Sequence, residues 1–259
     1  MVINIAQLEV FMLILARMAG IFIQAPFLST RTIPPLVKTA LCVWIAAVLW
    51  FVIPLKGPLP PDTFTFLLAL VNEIIIGYLI GLTCHLIFIA VQAAGDIMDL
   101  QMGMSIATVV SPTTGGTVSV VGMLAFMVAL VVFVIANGHH LILSSFHQSF
   151  RLLPLATPVA LNGAPLVMQI IELGRGLFLT AVQLAAPAVL MIFLSDFSFG
   201  IVSRVAPQVN VFMLGFQVKP SLGFTAILLT SPILVRRVSD LIEKMGEEMI
   251  KLLMVLRPS

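Results

Sequence analysis

"VSVVGMLAFMVALVVFVIA", residues Val118 to Ala136, is the stretch that decides the fold class. It carries no charge, and as a helix it would rise about 28 Å, close to the ~30 Å hydrocarbon core of a bilayer. The rest of the chain cannot hide such a helix from water. Charged residues make up 9% of the 259 residues, against roughly a quarter in an ordinary soluble domain. With 60% hydrophobic residues and a mean hydropathy of +1.17, the chain reads as an all-α integral membrane protein. No polar block is long enough for a soluble domain, so residues 1–259 are expected to form one membrane domain.

Working outward, five more apolar runs appear. Leu8–Leu28 carries Arg17 and Gln24; Thr39–Leu55 is uncharged but short; Thr63–Val91 is long and includes Glu73 and His85. Gly176–Ser195 contains Pro187, which predicts a bend, and Pro220–Val235 has prolines near both ends. The expectation is therefore about six hydrophobic helical elements with amphipathic connectors. With both termini placed in the cytoplasm, eight basic residues fall inside and four (Arg31, Lys38, Arg204, Lys219) outside. That satisfies the positive-inside rule weakly, and a plain six-helix bundle fits poorly. The start, "MVINIAQLEVFMLILARMAG", lacks a basic n-region and a small-residue cleavage site and is read as a retained membrane segment.

The tail "RRVSDLIEKMGEEMIKLLMVLR" reads as an amphipathic helix. Val238, Leu241, Ile242, Met245, Met249, Leu252, Leu253 and Leu256 share one face, with Asp240–Lys244 and Glu247–Lys251 as i,i+4 pairs opposite. Its apolar face would lie on membrane lipid or on a partner helix.

Enzyme signatures are missing: there is no HExxH, GxSxG or Walker loop. No cofactor is expected. His139, His140 and His147 cluster in sequence, but no carboxylate stands near them, and interfacial polar residues are favoured over a metal site. Cys42 and Cys84 lie in apolar runs and read as buried free thiols. The small net charge of +2 argues against nucleic acid.

Arg17 and Glu73 are the ionisable residues in apolar surroundings. A lone charge in hydrocarbon costs at least about 2.5–3.5 kcal/mol, so each needs a partner, an aqueous cavity or a shielded interface. They could pair with one another, though sequence alone does not place them at one depth; a charge-reversed double variant is the test the sequence suggests. Further on, Gln92, Asp96, Asp99 and Gly103 recur at i, i+4, i+7 and i+11 on one helical face, with Met98 and Met102 as a neighbouring stripe. That face would either line a water-filled path or interface, or be a solvated helix near a loop.

"VVSPTTGGT", Val109–Thr117, lies in a run from Leu100 to Phe150 that has no charged residue. Pro112 stops regular helix and Gly115–Gly116 permits tight reversal. The segment is either an external turn or irregular backbone at membrane depth, where it is tolerated only inside protein or along an aqueous cavity.

Taken end to end, the chain resembles the FliR family of flagellar type III export-gate proteins, whose injectisome relatives share the pattern. The resemblance rests on "LARMAGIFIQAPFLSTRTIPPLVKTAL", "NEIIIGYLIGL", "VQAAGDIMDLQMGMSIATVVSPTTGG", "ANGHHLILSSFHQSFRLLP" and "LSDFSFGIVSRVAPQVNVFMLGFQVKPSLG", in that order. "NGH…F…LP" looks flagellar. The resemblance implies a non-enzymatic subunit of the export channel in the bacterial inner membrane, at the flagellar basal body, built from bent helical hairpins. Residues 1 to about 175 would be FliP-like and about 176 to 259 FliQ-like. It implies FliP-like and FliQ-like partner subunits, FlhB-like and FlhA-like neighbours, and unfolded flagellar subunits as cargo. Carried over residue by residue, the pore plug would be Ser111, Pro112, Thr113, Thr114, Gly115, Gly116 and Thr117. A rival reading is a small-solute or ion transporter using Arg17, Glu73 and Asp96 as ligands; no internal inverted repeat supports it.

Overall fold

The computed structural model describes residues 5–26, 34–53, 59–104, 119–158 and 163–257. Among them are seven helices and no strand. In chain order these are α1 (Ile5–Gln24), α2 (Pro35–Trp50), α3 (Thr63–Met102), α4 (Val120–Ile135), α5 (Gly138–Leu152), α6 (Ala164–Val205) and α7 (Val211–Val255). Four of them, α1, α3, α6 and α7, are long and apolar enough to cross a membrane, and α4 with α5 would make a fifth if that bent pair is one span. The chain is an all-α, multi-pass membrane protein.

Two boundaries differ from the sequence expectation. The third apolar run and the acidic face after it form one helix of 40 residues, and the sixth run continues into the tail as one helix of 45. At 1.5 Å per residue these are about 60 and 68 Å long, twice the ~30 Å hydrocarbon core. Prolines do not stop them: Pro187 lies inside α6, and Pro220 and Pro232 inside α7. A proline leaves the carbonyl four residues earlier without its N–H partner. For Pro232 that carbonyl is Leu228 O, and the Ser231 hydroxyl donates to it at 2.9 Å.

Local chemistry explains the ends that are sharp. α2 starts with Pro35 in its first turn after an extended Pro34, where the missing N–H costs nothing. α3 ends in a Schellman motif: Met104 N–H donates to Asp99 O and Gly103 N–H to Leu100 O. Gly103 takes φ +77° there, a conformation open to glycine at little cost. Before α5, Asn137 is left-handed at φ 56°.

Packing divides the chain into two compact units. Unit 1 comprises Met1–Ile87, Ala136–Gly174 and Ile242–Ser259. In it α1 packs on α2, with Phe11 edge-on to Trp50 at 6.2 Å. The end of α7 belongs to this unit, and Ile242, Met245, Met249, Leu252, Leu253 and Leu256 are almost wholly buried. The Gln169 amide donates to Glu248 at 3.2 Å beside them. The tail's apolar face is thus covered by its own chain, not laid on lipid or reserved for a partner. Burying those residues in protein contacts satisfies the same hydrophobic demand that a membrane surface would have met.

Unit 2 comprises Phe88–Ile135 and Arg175–Leu241. Its core is narrow and rich in small residues: Ala94, Val121, Ala185, Ala188 and Ala226 pack with Met98, Met102 and Ile192. Small side chains let helix backbones approach closely, the usual basis of helix association in membranes. Gly95 and Gly122 mark one such approach, since a Cβ on Gly95 would sit 2.6 Å from the Gly122 Cα.

Candidate functional site

In unit 1 the close approach of α1 and α3 is made by glycine. A Cβ on Gly77 would land on the Arg17 carbonyl, and one on Gly20 on the Ile74 carbonyl. A Cβ on Gly81, one turn on, would stand 3.0 Å from Ile21 O. Gly77 and Gly81 form a GxxxG within an apolar helix, a spacing known to seat helix contacts in membranes. It was readable in "GYLIG" and is the signal that the sequence analysis passed over.

The crossing brings Arg17 and Glu73 together, one turn from the touching glycines. Arg17 Nε donates to Glu73 Oε2, and both residues are fully buried. The other guanidinium nitrogens are also engaged. Nη1 donates to Ser149 Oγ at 2.9 Å and Nη2 to the Leu153 carbonyl at 3.1 Å. The guanidinium lies 4.2 Å over the Phe150 ring, a favourable cation–π contact when desolvated. Glu73 Oε1 accepts the Ala156 N–H at 3.1 Å, and the Ser149 hydroxyl donates to Phe146 O at 2.7 Å.

This network ties α1 and α3 to the last turn of α5 and the connection after it. Placing a cation against the carbonyl end of α5 also suits the helix dipole. Ala156 is held at φ 61°, a left-handed conformation that alanine seldom takes, and Glu73 holds its N–H. The planar fork of arginine is what makes three acceptors reachable at once. Ser149, Leu153 and Ala156 are partners that the sequence analysis did not name; they lie more than 80 residues from Glu73 or 130 from Arg17 along most of these links, so no local pattern reveals them.

In unit 2 the residues on the acidic face lie near the first turn of α4. Ser119 caps that helix, its Oγ accepting Gly122 N–H at 2.8 Å. Asp96 Oδ1 lies where a Gly122 Cβ would stand, and Asp99 Oδ1 is 3.5 Å from Val121 N. Carboxylates there face the positive end of α4. Gln92 and Asp96 are exposed, whereas Asp99, Met98 and Met102 are buried. The segment Ser111–Thr117 lies outside the described residues.

The rings of His139 and His140 lie 4.3 Å apart, tilted by 40°. Among the described residues no three His, Cys, Asp or Glu side chains converge as metal ligands would. Cys42 and Cys84 are free and buried.

Long apolar helices, a glycine-seated crossing and a fully engaged buried ion pair define a polytopic membrane protein whose buried Arg17–Glu73 pair serves its own architecture. The family model for bacterial export proteins, family 1, matches residues 8–245, and the chain belongs to that family, the FliR family. It is 31% identical over 84% of both chains to flagellar biosynthetic protein FliR of Bacillus subtilis. To FliR of Escherichia coli it is 30% identical, over 85% of this chain and 83% of that one. The Yop proteins translocation protein T of Yersinia pestis is 27% identical over 82% of each.

Proposed function

We propose that this protein is a non-enzymatic subunit of the flagellar type III export channel in the bacterial inner membrane. It helps form the pore for unfolded flagellar subunits, together with FliP-like and FliQ-like subunits and beside FlhB-like and FlhA-like components. The observation that carries this reading is the family match, which runs almost end to end through residues 8–245. The 31% and 30% identity to two FliR proteins favours a flagellar role; the 27% identity to the Yersinia relative equals or exceeds that to three other FliR proteins, at 25–27%.

The exposed apolar surface supports a life in complex. Half of the most apolar window is buried in α1 and α3, but only 22% in α6 and 11% in α7. Sister subunits would cover part of the remainder. Within this reading, Ser111–Thr117 serves as the plug, residues 1 to about 175 as the FliP-like portion and the rest as the FliQ-like portion. Gln92, Asp96 and Asp99, beside α4's first turn, stand at the approach to that plug in sequence, with Met98 and Met102 behind them. The transporter reading loses two of its three ligands: Arg17 and Glu73 spend their hydrogen bonds on Ser149, Leu153, Ala156 and each other.

The test is a native pull-down of the C-terminally tagged protein in mild detergent, with mass spectrometry of what accompanies it. Recovery of FliP-like and FliQ-like proteins at fixed ratios is expected. A lone, well-behaved monomer from cells that make those proteins would overturn the proposal. For the plug, shortening Ser111–Thr117 should cause ion leak or altered secretion.

A further inference from the structure

Unit 2 holds a cavity of about 270 Å³ where α3 ends at Met102 and Gly103. Its walls are Phe199 of α6 and Phe212 and Phe216 of α7, the last two T-shaped at 4.9 Å. Gly215 is also on the lining, where a Cβ would meet only Lys219 Cε, at 3.7 Å. On its lining Lys219 Nζ and Asp196 Oδ1 pair at 2.6 Å, with 26% and 43% of their side chains exposed. An apolar slot and a half-exposed ion pair therefore share one site.

We infer that this cavity is a binding site for extended polypeptide: it takes one bulky apolar side chain, while Lys219 and Asp196 engage the neighbouring peptide groups. The inference rests on the export reading and names where cargo touches this subunit. Size comes first. Pockets for drug-sized ligands run about 300–1,000 Å³, whereas an apolar cavity of about 150 Å³ suffices for benzene. A volume of about 270 Å³ suits a single aromatic or branched side chain with part of its backbone. The ring lining gives such a side chain edge and face contacts.

The ion pair decides between occupants. A peptide group has one donor and one acceptor, which Asp196 and Lys219 complement without requiring net charge. A lipid phosphate at Lys219 would stand against the Asp196 carboxylate. An acyl chain would press hydrocarbon on both charges, a costly arrangement. Polypeptide satisfies slot and pair together, with side-chain size the selected feature and charge ignored, as a channel for varied cargo requires.

The experiment uses the assembled complex in cells. Val211, on the cavity wall, is changed (Val211→Cys) with Cys42 and Cys84 replaced by Ala. The probe is a filament subunit fused to a C-terminal domain that stays folded, so that it stalls in the channel, carrying single cysteines placed beside bulky apolar or beside small polar residues. Disulfide cross-links are expected beside bulky apolar residues, and about tenfold fewer beside small polar ones, as for a contact worth ~1.4 kcal/mol. Leu229→Cys, exposed and away from the cavity, should show no such dependence. Filling the slot (Gly215→Leu) or removing the ammonium (Lys219→Gln) should each lower the Val211→Cys yield; the second keeps the test open if the first disturbs assembly. Equal yields whatever the neighbouring residue, or no cross-link on complexes that hold the stalled probe, would overturn the inference and leave the export reading standing. Complexes that lack the probe and the sister subunits altogether would overturn both.

Discussion

Arg17 shows how much one buried side chain can organise. Its guanidinium meets Glu73, Ser149, Leu153 and the Phe150 ring. Removing one partner strands the other in a fully buried site, a loss of about 3–5 kcal/mol. Glu73→Ala is therefore expected to lower the detergent melting temperature sharply, as read by thermal unfolding of the purified protein. The double variant Arg17→Leu/Glu73→Leu should recover most of that loss, because apolar residues of similar volume often replace buried pairs at little cost. Charge reversal should not rescue. A glutamate at position 17 would place a carboxylate against the Leu153 carbonyl, acceptor against acceptor. The structure thus revises the test that the sequence suggested. Two glycines make a matched contrast by the same measurement. Gly77→Ala should be strongly destabilising, since its Cβ would occupy the Arg17 carbonyl position, whereas Gly174→Ala meets nothing within 4 Å and should be neutral or stabilising by up to ~1 kcal/mol.

At the scale of elements, the long helices persist through sequence features that usually end them. Pro232 frees the Leu228 carbonyl, and Ser231 satisfies it. Ser231→Ala is expected to cost about 1 kcal/mol in the native background and much less in Pro232→Ala, where an N–H returns. A double-mutant cycle of melting temperatures checks that coupling. At the other extreme, α3 stops because Gly103 adopts φ +77°; Gly103→Ala should cost about 1–2 kcal/mol and fray the end that leads toward Ser111. The tail of α7 gives a further prediction. Met249 is fully buried in unit 1, so Met249→Ala should cost about 2–5 kcal/mol. A tail that merely rested on lipid would tolerate the change.

For the whole molecule, the uneven burial of its helices matters most. α6 and α7 leave most of their apolar windows uncovered, including Phe178, Phe193, Leu228, Leu229 and Ile233. Under the export reading, cysteines substituted one at a time along these faces should label readily in the isolated protein and fall into protected and reactive sets in the complex. Uniform labelling in both states would count against subunit cover.

Composition alone establishes a membrane protein, because 9% charged residues cannot clothe a soluble surface, and the long uncharged runs such as Val118–Ala136 make it helical. Ordered motifs spread through the chain were enough for the resemblance to the FliR family. Local chemistry was readable wherever neighbours in sequence decide it, as in the amphipathic face of the tail or Pro35 at the start of α2. Three things were decided only by tertiary structure. Arg17 and Glu73 form a pair because two glycines let α1 and α3 touch, and their remaining hydrogen-bonding groups are met by residues from α5 and the turn after it. The tail's apolar face is buried in unit 1, although periodicity shows only that some apolar surface must cover it. The helices run on past residues 91 and 235, where the apolar runs end, and α7 runs through Pro232, where the Ser231 hydroxyl takes the place of the missing N–H. Periodicity reports which face a helix hides; what it hides against is a property of distant residues, and distance along the chain carries no record of contact in space.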